Sequence, residues 1–182
     1  GNFSGTTVAY TESRVRVSGT VIDLVDLPGA YTLQSGNPAE LETAHYLDSS
    51  NVDVIINVAD STQLASALSL TFELIQLRKP LILALNMVDE AARMGLHIDG
   101  EGLAHELGIP VLPLVASKGR GVKGLFVTAL EVGGKTISEA PAHKDEKAGS
   151  SEEWHMRSIA LTKKFVTQGE RFSTLRDRLD NI

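Results

Sequence analysis

Four residues, Asn86-Met87-Val88-Asp89, have the types and the spacing that recognition of a guanine base requires. They follow the apolar run Pro80 to Leu85, which is typical of a buried strand. In the related pattern Asn-Lys-x-Asp, the Asp accepts hydrogen bonds from guanine N1–H and the exocyclic amine. Adenine lacks both donors and would leave a buried carboxylate unpaired, at a cost of ~1–3 kcal/mol. We predict base reading by Asn86, Met87 and Asp89, with Met87 replacing Lys as the apolar contact. The alternative is a helix start capped by Asp89.

The turn Asp26-Leu27-Pro28-Gly29 follows the predicted strand Val21 to Val25 and lies 60 residues before Asn86. An Asp at a strand end can hold Mg²⁺ through a water molecule, and the Gly29 N–H can meet a γ-phosphate. Pro and Gly also favour an ordinary turn, which is the alternative interpretation. The spacing to Asn86 favours a phosphate and Mg²⁺ role for Asp26 and Gly29.

A second candidate ligand for the same Mg²⁺ lies upstream, in Gly5-Thr6-Thr7-Val8. A Thr hydroxyl would coordinate the ion when a γ-phosphate is present, and Thr7 is the better candidate by its position in the motif. The alternative is a Thr in a surface strand, since Thr favours strands.

The turn Ala116-Ser117-Lys118 ends the predicted strand Val111 to Val115. In GTPases, a short turn of this type offers a backbone N–H to guanine O6. The pattern is weak alone, because many strand-to-helix turns look like it. Together with Asn86, it predicts that Ala116, Ser117 and Lys118 line the base site.

Two features limit the predicted chemistry. Ala30 follows Gly29, where many GTPases place a Gln that orients the attacking water, so we expect slow GTP hydrolysis and assign no catalytic residue. A phosphate loop of the form G-x-x-x-x-G-K-[ST] is expected about 15–20 residues before Thr7, and the chain begins too late to contain it.

A similar pattern occurs late in the chain, from Ala129 to Thr136, and includes Gly134-Lys135. A phosphate loop follows a strand and opens a helix. Here the preceding residues have a helical period and the following residues have none. We expect no nucleotide site there.

Strand-like and helix-like segments alternate over the first 130 residues. This alternation predicts an α/β fold with a mostly parallel sheet, in which ligands bind at the carboxyl ends of the strands. The three motif-rich turns all lie at such ends. The predicted strands are Arg14 to Val17, Thr20 to Val25, Asp53 to Ala59, Pro80 to Leu85 and Val111 to Val115; the predicted helices are Leu64 to Leu77, Gly102 to Leu107 and Val122 to Leu130.

Composition excludes several classes of protein. The 182 residues carry a net charge of −6, which argues against nucleic-acid binding. No apolar run approaches the roughly 18 residues of a transmembrane helix. There is no Cys, so thiolate metal sites are excluded, and the five His residues show no tight ligand spacing.

We predict three regions along the chain: a nucleotide-binding domain over residues 1–131, a flexible linker over 132–151, and a short helical region over 152–182. Ser150 and Glu153 form a predicted capping box for a helix that runs to about Val166. An apolar stripe follows at Phe172, Leu175, Leu179 and Ile182.

In combination, the motifs of residues 1–130 resemble the ferrous iron transport protein B family. The resemblance rests on Gly1 to Val8, Val25 to Leu33, Val54 to Asp60, Leu83 to Asp89 and Pro113 to Gly121. It implies a G domain that binds GTP or GDP with Mg²⁺ at the cytoplasmic face of a bacterial inner membrane. GTP binding or hydrolysis would regulate Fe²⁺ uptake through a separate transmembrane part, reached through the helical region. The resemblance is also compatible with a homo-oligomer.

This chain departs from the family at Phe3-Ser4, where Trp-Pro is usual, and in its short helical region. The phosphate loop and the central strand before it are also missing, which would expose an apolar sheet edge. Two alternatives stay open: a soluble regulatory GTPase of another class, and a G-domain shell that acts only through protein contacts.

Overall fold

A computed structural model describes residues 10–34, 36–134 and 149–169. Thr7, the linker residues 135–148 and the stripe that begins at Phe172 lie outside these residues. The strands are β1 (Thr11–Val17), β2 (Thr20–Asp26), β3 (Ile55–Asp60), β4 (Leu81–Asn86), β5 (Leu96–Ile98), β6 (Val111–Pro113) and β7 (Val166–Gln168). The helices are α1 (Pro38–Ser49), α2 (Leu64–Gln76), α3 (Val88–Arg93), α4 (Gly100–Leu107), α5 (Val122–Gly133) and α6 (Ser151–Phe165).

The central sheet is parallel, in the order β3-β4-β6. Helices connect its strands, as parallel strands require. Strands β1 and β2 form an antiparallel hairpin, and β5 pairs antiparallel with β7. The predicted α/β class with a parallel sheet is therefore confirmed.

Strand β4 is buried on both faces, which explains its continuous apolar sequence. Leu81, Leu83 and Leu85 join one core cluster, while Ile82 and Ala84 join another. The first cluster contains α2 and α6, and the second contains Leu125 of α5. Alternation along one strand thus divides the core into two layers.

Strand β3 lies at one edge of the central sheet. Within the described residues, β3 pairs only with β4. Val58, in the middle of β3, is 58% exposed, and Ile56 is half-buried. Strand β3 thus carries one exposed apolar side chain, that of Val58.

Helix α6 begins with the predicted capping box. The Ser150 hydroxyl accepts a hydrogen bond from the Glu153 N–H, and the Glu153 carboxylate accepts one from the Ser150 N–H. The helix ends at Phe165, within one residue of the predicted end, and Val166–Gln168 then pair with β5. In the described part of the chain, no helix is both long and apolar enough to span a membrane.

Candidate functional site

Asn86 joins the two loops that the sequence analysis assigns to the base. It is the last residue of β4, and the parallel neighbour β6 leads to the turn Ala116–Lys118 at the same edge of the sheet. The Asn86 Oδ1 accepts a hydrogen bond from the Ala116 N–H at 3.0 Å. The neighbouring Val88 N–H donates to the Leu114 carbonyl at 3.3 Å. The structure therefore brings the Asn86 loop and the Ala116 turn into direct contact.

Met87 lies between the strand and α3 in a left-handed conformation, with φ of 62°. A non-glycine residue in this region stores about 1–3 kcal/mol of strain, and such strain is frequent at functional sites. Its side chain is 41% exposed. Met87 occupies the N-cap position of α3 without a side-chain cap. Asp89 lies in the first turn of α3 and accepts the Glu90 N–H there, which the alternative interpretation of a helix start also predicts.

The Asp89 carboxylate has two partners. Its Oδ1 accepts a hydrogen bond from the Glu90 N–H at 3.0 Å, and its Oδ2 forms an ion pair with the Lys118 Nζ at 2.5 Å. The hydrogen bond from Lys118 holds the pKa of Asp89 below its ordinary value. Asp89 is therefore ionised at neutral pH and acts only as an acceptor.

The turn Ala116–Lys118 has one backbone donor that points to no acceptor among the described residues. The Ala116 N–H donates to Asn86, and the Lys118 N–H donates to the Val115 carbonyl. Gly119 then leaves the turn with φ of 67°, which glycine adopts without strain. The remaining donor is the Ser117 N–H.

A loop from Pro28 to Leu33, here called the clamped loop, contains Gly29 and follows Asp26 at the end of β2. Gly29 is exposed, and a Cβ added there would meet no atom within 4 Å. Asp26 is exposed at the end of its strand. Among the described residues, no hydrogen bond or ion pair joins Asp26 or Gly29 to Asn86 or Asp89, and Thr7 lies outside the described residues.

Three buried side chains that the sequence analysis missed hold the clamped loop. Thr43 Oγ1 donates to the Pro28 carbonyl at 3.0 Å. Glu40 accepts from the Tyr31 and Thr32 N–H groups at 2.9 and 3.3 Å. Glu73 accepts from the Thr32 hydroxyl at 2.8 Å and from the Leu33 N–H at 2.5 Å. One feature of the sequence could have indicated these contacts, namely the position of Glu73 inside the apolar stretch of α2.

The similar pattern near Gly134 has the wrong surroundings for a phosphate loop. Helix α5 runs from Val122 to Gly133 directly before it, whereas a phosphate loop follows a strand. Lys135 and Thr136 lie outside the described residues. Within the described residues, no three His, Asp or Glu side chains cluster as metal ligands would.

Comparison with known proteins establishes the family. The model of the family described as ferrous iron transport protein B matches residues 1–129, so the chain belongs to this family. The Fe(2+) transporters FeoB of Salmonella typhimurium and Escherichia coli are each 40% identical to it over 129 residues. That match covers 69% of this chain and 17% of each relative, so the chain spans about a sixth of their length.

Solved structures show the same fold. The cytosolic domain of T. maritima FeoB in a GMPPNP form superimposes with a TM-score of 0.78 at 22% identity, over 92% of this chain and 89% of that one. The FeoB G-domain from Methanococcus jannaschii gives 0.67 at 32% identity, over 71% and 81%. The mGMPPNP-bound NFeoB from S. thermophilus gives 0.65 at 34% identity, over 75% and 52%.

The Lys118–Asp89 ion pair gives a testable acid response. Because the folded pKa of Asp89 is depressed, its contribution to stability is present above its unfolded pKa of about 3.9 and is lost as pH falls through the folded value. Lys118→Met should raise the pKa of Asp89, measured by NMR titration, and reduce the stability lost between pH 5 and acid. Stability at neutral pH should change little, since exposed pairs contribute little.

The exposed Lys123 provides the matched control. Lys123→Met removes the same charge without touching Asp89 and should leave the Asp89 pKa unchanged. An unaltered Asp89 pKa in Lys118→Met would contradict the role of the ion pair.

Proposed function

We propose that this chain is the guanine-nucleotide-binding part of a bacterial ferrous iron transporter. The observation that carries the proposal is the hydrogen bond from the Ala116 N–H to Asn86 Oδ1, because it holds two predicted base-reading loops together. The relatives named Fe(2+) transporter FeoB, and the structure named mGMPPNP-bound NFeoB, support the same assignment.

Base selection is assigned to four groups. The ionised Asp89 accepts hydrogen bonds from guanine N1–H and the exocyclic amine. The Ser117 N–H donates to guanine O6, while Met87 and the stem of Lys118 pack on the faces of the base. Adenine carries neither donor and would form neither hydrogen bond with Asp89, so adenine binds more weakly.

The phosphate side of the site is assigned to Thr7, Asp26 and Gly29. Mg²⁺ takes oxygen ligands and keeps several waters, so a single exposed carboxylate such as Asp26 fits it through a water molecule. The open space at Gly29 fits a close approach of a phosphate to its N–H. When bound, Mg²⁺ would neutralise phosphate charge.

In its parent protein the chain regulates Fe²⁺ uptake through a separate transmembrane part, from the cytoplasmic face of the inner membrane. Its own chemistry is slow GTP hydrolysis, because Ala30 has no side-chain group that could orient water. A fast intrinsic turnover of GTP would contradict this assignment.

Titration with a fluorescent guanine nucleotide, with and without Mg²⁺, tests the proposal. We expect binding that GDP and GTP displace and ATP does not, measured on the chain and on any longer natural protein that contains it. No binding at high micromolar nucleotide in either form would favour a G-domain shell that acts only through protein contacts.

A further inference from the structure

The buried carboxylate of Glu73 has no part in the nucleotide chemistry assigned above, yet it binds the clamped loop. Glu73 lies on α2 and is 5% exposed. The Thr32 hydroxyl donates to both carboxylate oxygens of Glu73, at 2.8 and 3.0 Å. One of these oxygens also accepts a hydrogen bond from the Leu33 N–H. Since hydrogen bonds to a charged acceptor are the strong ones, this contact fixes the loop against α2.

The preceding residue, Phe72, contacts a different part of the chain. Its ring is fully buried and stacks on Trp154 of α6, with centroids 5.2 Å apart and planes at 18°. The Arg157 guanidinium lies 4.6 Å from the centroid of the Phe72 ring. Adjacent residues of one helix thus hold the clamped loop and α6.

Helix α2 is held to the sheet and the core as a rigid element. Thr71 is fully buried, and its hydroxyl accepts a hydrogen bond from the Asn57 amide of β3 at 2.9 Å. Leu68, one turn before, is also fully buried. Packed side chains and rigid helices carry coupling between distant sites.

We propose that Glu73 is a positioning residue that fixes the clamped loop and, through α2, couples the position of that loop to Trp154 and α6. The proposal rests on the proposed function only for its biological role, namely that a ligand at Gly29 would displace the loop. The coupling itself is tested without nucleotide.

Trp154 is the single Trp of the chain, so its emission reports on α6 directly. Glu73→Leu and Thr32→Val both remove the contact between Glu73 and the Thr32 hydroxyl. Each variant should shift the Trp154 emission maximum to the red, with 295 nm excitation. The double variant should shift no further than Glu73→Leu alone, because residues in one contact are not additive.

A conservative variant and a control separate coupling from general loosening. Glu73→Gln keeps an acceptor for the loop and should restore most of the parent emission. Glu131→Gln, on the exposed side of α5, should leave the emission unchanged. If Glu73→Leu does not fold, the Trp154 emission of Thr32→Val and Glu73→Gln is compared instead.

Two outcomes would overturn the proposal. One is parent-like Trp154 emission in folded Glu73→Leu or, if that variant does not fold, in Thr32→Val. The other is a double-variant shift equal to the sum of the single shifts. Either result would make Glu73 a local loop anchor. Absence of guanine-nucleotide binding would instead contradict the proposed function and leave this coupling intact.

Discussion

Replacing Asp89 with Asn should change the base that the chain prefers from guanine to xanthine. The Asn amide still accepts one hydrogen bond from N1–H, but its NH₂ group opposes the exocyclic amine of guanine. Xanthine carries a carbonyl at that position and accepts from the same NH₂ group. Because a charged acceptor is lost, guanine affinity should fall roughly 10- to 100-fold.

Competition titrations with guanosine and xanthosine diphosphates measure this change. Asp53→Asn, an exposed Asp before β3, controls for the lost charge. Asp89→Asn also breaks the ion pair with Lys118, and Lys118→Met isolates that effect. Equal relative affinities for the two nucleotides in Asp89→Asn and in the parent would exclude Asp89 from base selection.

Truncating Phe72 should cause a large loss of stability. Phe72 is fully buried, stacks on Trp154 and lies below the Arg157 guanidinium. Phe72→Ala should lower the free energy of unfolding by about 3–5 kcal/mol, which includes the cost of the cavity. A domain is stable by only about 5–15 kcal/mol, so this loss is a large share.

Urea unfolding of Phe72→Ala and Tyr31→Ala provides the comparison. Tyr31 is 81% exposed, and its side chain should contribute within about 0.5 kcal/mol. A similar loss in both variants would contradict the packing described for α2 and α6.

Long apolar runs made the central elements predictable. Strands β3 and β4 and helix α2 lie within a residue or two of their predicted bounds, because burial on both faces demands continuous apolar sequence. Helix α1 was missed, since Pro38–Ser49 has little apolar periodicity and is signalled mainly by the Asn37 cap and Pro38. Strands β5 and β7, each of three residues, are too short to show a period.

Some parts of the candidate site were also predictable from the sequence, and others were not. The sequence indicated Asn86, Asp89 and Lys118 because they follow strand ends, and parallel strands bring such ends together. It gave no sign of the Lys118–Asp89 ion pair, which depends on side-chain directions. The glutamates Glu40 and Glu73 were missed because a carboxylate inside a helix is ordinarily solvated, and only tertiary structure reveals its buried donors.

The place of α6 in the core bears on how the chain folds during synthesis. The family match ends at residue 129, whereas the core that contains Phe72 also takes Trp154 and Phe165. Residues up to the end of α5 leave the ribosome before α6 does, so Phe72 lacks its stacking partner until then. Contacts over such a sequence separation form late. We therefore expect the nascent chain to expose the α6-facing side of α2 until α6 has emerged.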